Sequence, residues 1–227
     1  MAILLAARPA HATIAATFVG RVEGRVEACA FNPSLGWDSS ASAAPLALSA
    51  FQNDFEDAAG GVFRSWALEL GPTVDGGAVY IFDPMTLSGG AVEGVRAVVL
   101  RDLFARWIDP TTGRVSGGTD GRAATAAAFQ LAVWEIAHEN FGTSDASTLV
   151  ARMSLATGAF RSVASAETMA RYGSIAATLG QGGFRSQDLE LLANPVAQDQ
   201  IRVIPAPGAG IALLAGLLRA CDRRRRR

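Results

Sequence analysis

"RAATAAAFQLAVWEIAHEN", residues 122–140, is the stretch on which the fold turns. It has neither glycine nor proline and is rich in alanine, the best helix former, with apolar residues at helical spacing. This predicts a helix over 122–140 that ends near Asn140, Phe141 and Gly142. Upstream, "VEGVRAVVLRDLFARW" places Val95, Val99, Leu103 and Trp107 on one helical face and leaves Arg96, Arg101 and Asp102 for solvent. A polar, glycine-rich loop, "IDPTTGRVSGGTDG", joins the two helices. Downstream, helical stretches are expected at about 146–155 and 165–179, followed by strand-like "LELLAN" and "DQIRVI".

Further toward the N-terminus the period changes. In "RVEGRVEACAF", residues 21–31, Val22, Val26, Ala28 and Ala30 alternate with Arg21, Glu23, Arg25 and Glu27, the pattern of a half-buried strand. Parity puts Cys29 on the charged side. Residues 32–45 form a loop, and short strands are expected at about 46–51, 62–70 and 78–82. Strands, then helices, then strands describe an α+β domain: N-terminal antiparallel strands, a helical middle, and late strands that return to the sheet.

Half of the 227 residues are hydrophobic and 18% are charged, so a sizeable core is expected. Every basic residue is arginine, as in an arginine-biased coding sequence. The net charge of −1 hides an asymmetry. Without residues 1–12 and everything after Pro205, 13 basic and 20 acidic residues remain, a charge of about −7 that argues against a nucleic-acid surface. Two cysteines, Cys29 and Cys221, make a structural disulfide improbable, and two histidines, His11 and His138, are too few for a histidine metal site. No metal or cofactor is expected.

The two ends read as addresses. "MAILLAARPAHA", residues 1–12, has a brief apolar run and then Ala10-His11-Ala12, the small-x-small pattern of a signal-peptide cleavage site. "VIPAPGAGIALLAGLLRACDRRRRR", residues 203–227, combines Pro205-Ala206-Pro207, an apolar run over Ile211–Leu218 and the cluster Arg223, Arg224, Arg225, Arg226 and Arg227. The proline pair fixes a non-helical segment. The apolar run is shorter than the roughly 20 residues of a stable membrane span, and arginines beyond it hold that end in the cytoplasm.

This order of elements resembles the PEP-CTERM sorting signal of Gram-negative bacteria, with Ala206 where the family has glutamate. The resemblance implies a C-terminal sorting helix that stops transiently in the inner membrane. It also implies processing by an exosortase-type enzyme, then delivery to the outer surface or extracellular matrix among exopolysaccharide or surface-layer components. The expected organisation is a signal peptide over 1–12, a body over 13–204 and a sorting tail over 205–227.

The body carries a second resemblance. "AAAFQLAVWEI", residues 126–136, is similar to the glutamine-bearing helix of bacterial surface thioester domains. In that family a cysteine on an upstream strand condenses with the glutamine amide. Gln130 stands at the glutamine position, and Trp134, four residues on, shares its helical face and is expected to cover the amide. The matching upstream stretch is "FRSWALELG", in which Ala67 stands where the cysteine would be. The resemblance therefore implies the scaffold and the glutamine without the reaction. Cys29 is the alternative thiol.

Other groups carry less. Glu135 and Glu139, with His138 between them, read as a solvated face, and the glycines at 75–77 and 88–90 are turn glycines without phosphate-loop context. The expectation is an exported, non-enzymatic surface or matrix protein, with a covalent adhesin built on a Cys29–Gln130 thioester as the alternative.

Overall fold

In a computed structural model of the chain, the residues described are 13–22, 26–30, 46–71, 74–87, 92–116, 121–139 and 141–204. The sequence mixes strands and helices as expected. Among the described residues nine strands run β1 Ile14–Val22, β2 Val26–Ala30, β3 Leu46–Leu48, β4 Gln52–Asp57, β5 Val62–Ala67, β6 Val79–Thr86, β7 Phe160–Val163, β8 Leu189–Ala193 and β9 Gln200–Val203. The helices are α1 Val95–Trp107, α2 Arg122–His138, α3 Ala146–Arg152 and α4 Ala166–Thr178. The residues expected to form a signal peptide and a sorting tail, Pro205, Ala206, Pro207 and Arg223–Arg227 among them, lie outside the described residues.

Six strands close an antiparallel barrel in the order β1-β4-β5-β9-β8-β6, and β3-β2-β7 form a separate sheet. The alternating stretch expected as one strand over 21–31 belongs to both: β1 ends at Val22 in the barrel, and β2 pairs in the small sheet. The late strands do return, β8 against β6 and β9 against β5.

One face of the barrel strands gathers Phe18, Phe55, Phe82 and Leu192 into a core of its own. Phe55 is its centre, with the rings of Phe18, Phe63 and Phe82 at 5.5, 5.5 and 5.3 Å. The other face, with Trp66, Leu191 and Ile201, packs on the helices. There α2 is buried on all sides from Thr125 to Ala137, so its alanines allow close approach as well as helicity. α3 and α4 begin at side-chain caps: Asp145 accepts from Thr148 N and Ser165 from Thr168 N.

Two readings of charged residues are corrected. Asp102, expected in solvent, is fully buried on α1; its carboxylate accepts from Arg106 Nε and from the backbone N–H groups of Gly180 and Arg185. Glu135 and Glu139, expected on a solvated face, are 0% and 7% exposed. In each case backbone donors from a neighbouring segment take the place of water.

Candidate functional site

The hydrogen-bond alternation of β5 decides what surrounds Gln130. Asp57 N donates to Gly61 O at 2.9 Å, which fixes the ladder that follows. Phe63 and Ser65, opposite Phe55 and Asn53, turn their N–H and C=O groups toward β4, while Val62 and Arg64 turn theirs away. Ala67 has the parity of Ser65 and also faces the β4 side. The β4–β5 ladder, however, ends at Asn53 opposite Ser65. Ala67 is thus a buried strand residue, opposite Gln200 of β9 on one side but with no strand on its β4 side.

Gln130 supplies that partner from α2. Its Oε1 accepts from Ala67 N at 3.0 Å, and its Nε2 donates to Ala67 O at 2.7 Å. A carboxamide has one donor side and one acceptor side, as a peptide group has, so glutamine can stand in for the missing strand. Gln130 is 0% and Ala67 4% exposed, so neither backbone group could turn to water instead. The rings of Trp66 and Phe129, neighbours in sequence of the two residues, pack at 4.4 Å and hold helix and strand together.

The rest of this seam repeats the arrangement. His138 bonds Leu68 O through Nε2. Burial pulls its imidazole down to about 3, with the Leu68 carbonyl opposing. The ring is therefore neutral, with Nε2–H as the donor. Arg96 on α1 donates to Ala137 O and Glu139 O at 2.8 and 2.6 Å, tying off the last carbonyls of α2.

On another side of α2, Glu135 Oε1 accepts from Ser154 N and Glu139 Oε2 from Phe160 N, each at 2.8 Å. Burial pushes the Glu135 carboxyl up to about 8, and the nearby Glu139 adds to this. Gly158, at φ 99°, lies so close to the Glu139 carboxylate that a Cβ would come within 2.2 Å of it. Trp134 is 2% exposed and meets Phe160, ring centroids 6.5 Å apart. Trp134 Nε1, Glu135 Oε2 and Tyr172 Oη are buried without hydrogen-bond partners among the described residues.

Cys29 lies elsewhere in the architecture. Its strand β2 belongs to the three-stranded sheet, where it stands opposite Arg161, while the Gln130 amide is engaged by β5 of the barrel. Among the described residues no group of three or more His, Cys, Asp and Glu could hold a metal ion, and no helix is long and apolar enough to cross a membrane.

A cleft of about 220 Å³ lies between Val62–Arg64 and Trp66 on β5, Arg202 and Val203 on β9, and the turn Pro110–Gly113. Sequence reasoning missed it, because its residues come from three distant segments, none with a motif. Comparison with known proteins finds no matching family model, no matching curated protein and no matching solved structure.

Proposed function

We propose that this is an exported, non-enzymatic protein of a bacterial surface or extracellular matrix. A C-terminal sorting helix and the Pro205-Ala206-Pro207 motif direct it through an exosortase-type enzyme, and its body is a thioester-domain-like scaffold that has lost the thioester. The observation that carries the reading is the pairing of Gln130 with Ala67. The glutamine of the resembling helix meets the strand residue where the family has cysteine, and that residue offers a methyl group. With no thiol beside it, the amide carbon has no nucleophile to form an acyl bond. Trp134, one turn along, is buried as well.

The address is tested apart from the body. Replacing Pro205 with alanine, or deleting Arg223–Arg227, is expected to leave the protein cell-associated and unprocessed in a host that carries an exosortase. Release of either variant at the normal mature size would overturn the sorting reading. The body is tested by intact mass: a mature chain with its full complement of ammonia fits an inert scaffold. A deficit of one ammonia, followed by the gain of one methylamine on treatment with it, would establish the Cys29–Gln130 adhesin instead.

A further inference from the structure

We propose that the seam between β5 and β9 is a binding slot for the carboxylate end of an extended peptide. The barrel is joined there by only two residue pairs, Trp66 with Ile201 and Ala67 with Gln200, together with the Leu68 N to Asp199 O bond at 2.8 Å. The same register would bring Ser65 opposite Arg202 and then Arg64 opposite Val203. The ladder has stopped by then, and both residues line the cleft instead.

Their backbone groups point into that gap. Val62 and Arg64 turn N–H and C=O away from β4, as the Asp57–Gly61 bond requires. On the facing strand, Ile204 N donates to Asp188 O at 3.0 Å, so Ile204 and Arg202 face β8 and Val203 faces β5. Two parted strands with inward-facing donors and acceptors match an extended peptide backbone, which presents the same groups at the same repeat.

The charge in the slot selects the end of the chain. Arg64 bonds Thr112 O through Nη1 and pairs with Asp54 through Nε at 3.3 Å. Arg202 uses Nε and Nη2 for Glu190, at 2.8 and 2.6 Å, with its guanidinium 4.6 Å from the Phe63 ring centroid. Among the described residues, Arg64 Nη2 and Arg202 Nη1 have no protein partner. These held guanidinium groups, on opposite walls, offer N–H donors suited to a carboxylate. Val62, Phe63 and Pro110 offer the accessible apolar lining for the last side chain, over the buried rings of Trp66 and Phe104. The volume, about 220 Å³, is below the roughly 300–1,000 Å³ of pockets that enclose drug-sized ligands, so the slot takes the final one or two residues only.

The test titrates the isotope-labelled full chain with N-acetyl-glycyl-leucine, with the same dipeptide capped as its C-terminal amide, and with glucuronic acid, following backbone amide resonances. The free-acid dipeptide is expected to give saturable shifts at Val62, Arg64 and Val203. The amide-capped form should bind about ten-fold more weakly, the loss of a charge-assisted hydrogen bond. Arg202→Gln is expected to weaken binding by a similar factor. Val62→Trp, at an exposed position on the lip, should abolish binding without touching a charge pair, and so serves if the arginine variant does not fold. Equal binding of acid and amide, an undiminished response in Val62→Trp, or no saturable shift would overturn the proposal. So would binding of glucuronic acid but not of the peptide.

Discussion

The Gln130 carboxamide and the Ala67 backbone face each other as two strand residues would, one hydrogen bond given and one received, across a helix–strand boundary. The need is local: Ala67 continues β5 beyond the last β4–β5 pair, with its N–H and C=O directed where β4 no longer runs. This explains a fully buried glutamine in a helix otherwise apolar at its centre.

Gln130→Glu is therefore expected to be costly although the shape is almost unchanged. A carboxylate keeps the acceptor for Ala67 N but sets a negative oxygen against Ala67 O. Leaving a buried polar group unsatisfied costs about 1–3 kcal/mol, and burying the charge adds to that. Urea unfolding at pH 7 should show a loss of about 2–4 kcal/mol. Part of it should return at low pH, where the protonated acid regains a donor. A loss that does not depend on pH would rule out the donor argument.

Ala67→Cys tests the scaffold directly. If the likeness extends to the reaction, a thiolate at this position attacks the Gln130 amide carbon and expels ammonia, closing a thioester. The variant should be lighter than its calculated mass by one ammonia. Methylamine should then open the bond, leaving a methylated amide and a free thiol. An intact-mass spectrum without the deficit would reduce the thioester-domain likeness to a local one.

Glu135 and His138 give stability opposing slopes with pH. Glu135 titrates at about 8 when folded and from 4.5 ordinarily, so the folded state holds the extra proton and stability falls as pH rises through that interval. His138 titrates at about 3 when folded and from 6.5 ordinarily, so the unfolded state holds the extra proton and stability rises with pH between those values. The two contributions cancel between 4.5 and 6.5, leaving an acid limb set by His138 and an alkaline limb set by Glu135. Glu135→Gln keeps the acceptor for Ser154 N and removes one slope. Relative to the parent it should gain stability from pH 5 to pH 8, by up to about 1.4 kcal/mol per unit. A difference constant across that range would contradict the assignment. Asp54, Glu69 and Asp199, also raised by burial, cancel in the comparison.

Asp102→Ala removes the acceptor shared by Arg106, Gly180 N and Arg185 N. Breaking a buried pair of this kind costs about 3–5 kcal/mol. The loop should loosen before the rest, so amide exchange at Gly180 and Arg185 is expected to accelerate more than exchange in α2. Equal acceleration everywhere would show that the carboxylate serves the whole fold.

The elements that declared themselves in sequence are those whose signal is local. α2 showed its alanine content, and α1 its apolar stripe from Val95 to Trp107. β4 did not, because "QNDFED" turns Asn53, toward Gln200 Oε1 at 2.7 Å, to the same side as Phe55 and so breaks the apolar alternation. Glu135, Glu139 and Asp102 were misread for a related reason. A helical pattern shows that a charged residue stands on a given face, but not that a distant loop brings backbone N–H groups to it. Gln130 and Ala67 were singled out by resemblance, whereas the ladder alternation that pairs them appears only once strand register is known.

The order in which the chain leaves its site of synthesis meets this architecture at one point. β1, β4, β5 and β6 emerge early and can form a curved sheet, but its two open borders, β5 and β6, are joined only by β9 and β8. More than 100 residues, α1 to α4 among them, lie between β6 and those closing strands. Such distant pairings are slow to form. Until Val203 is out, the half-built barrel exposes free strand borders, so the interval before closure is also when the chain is easiest to lose to aggregation.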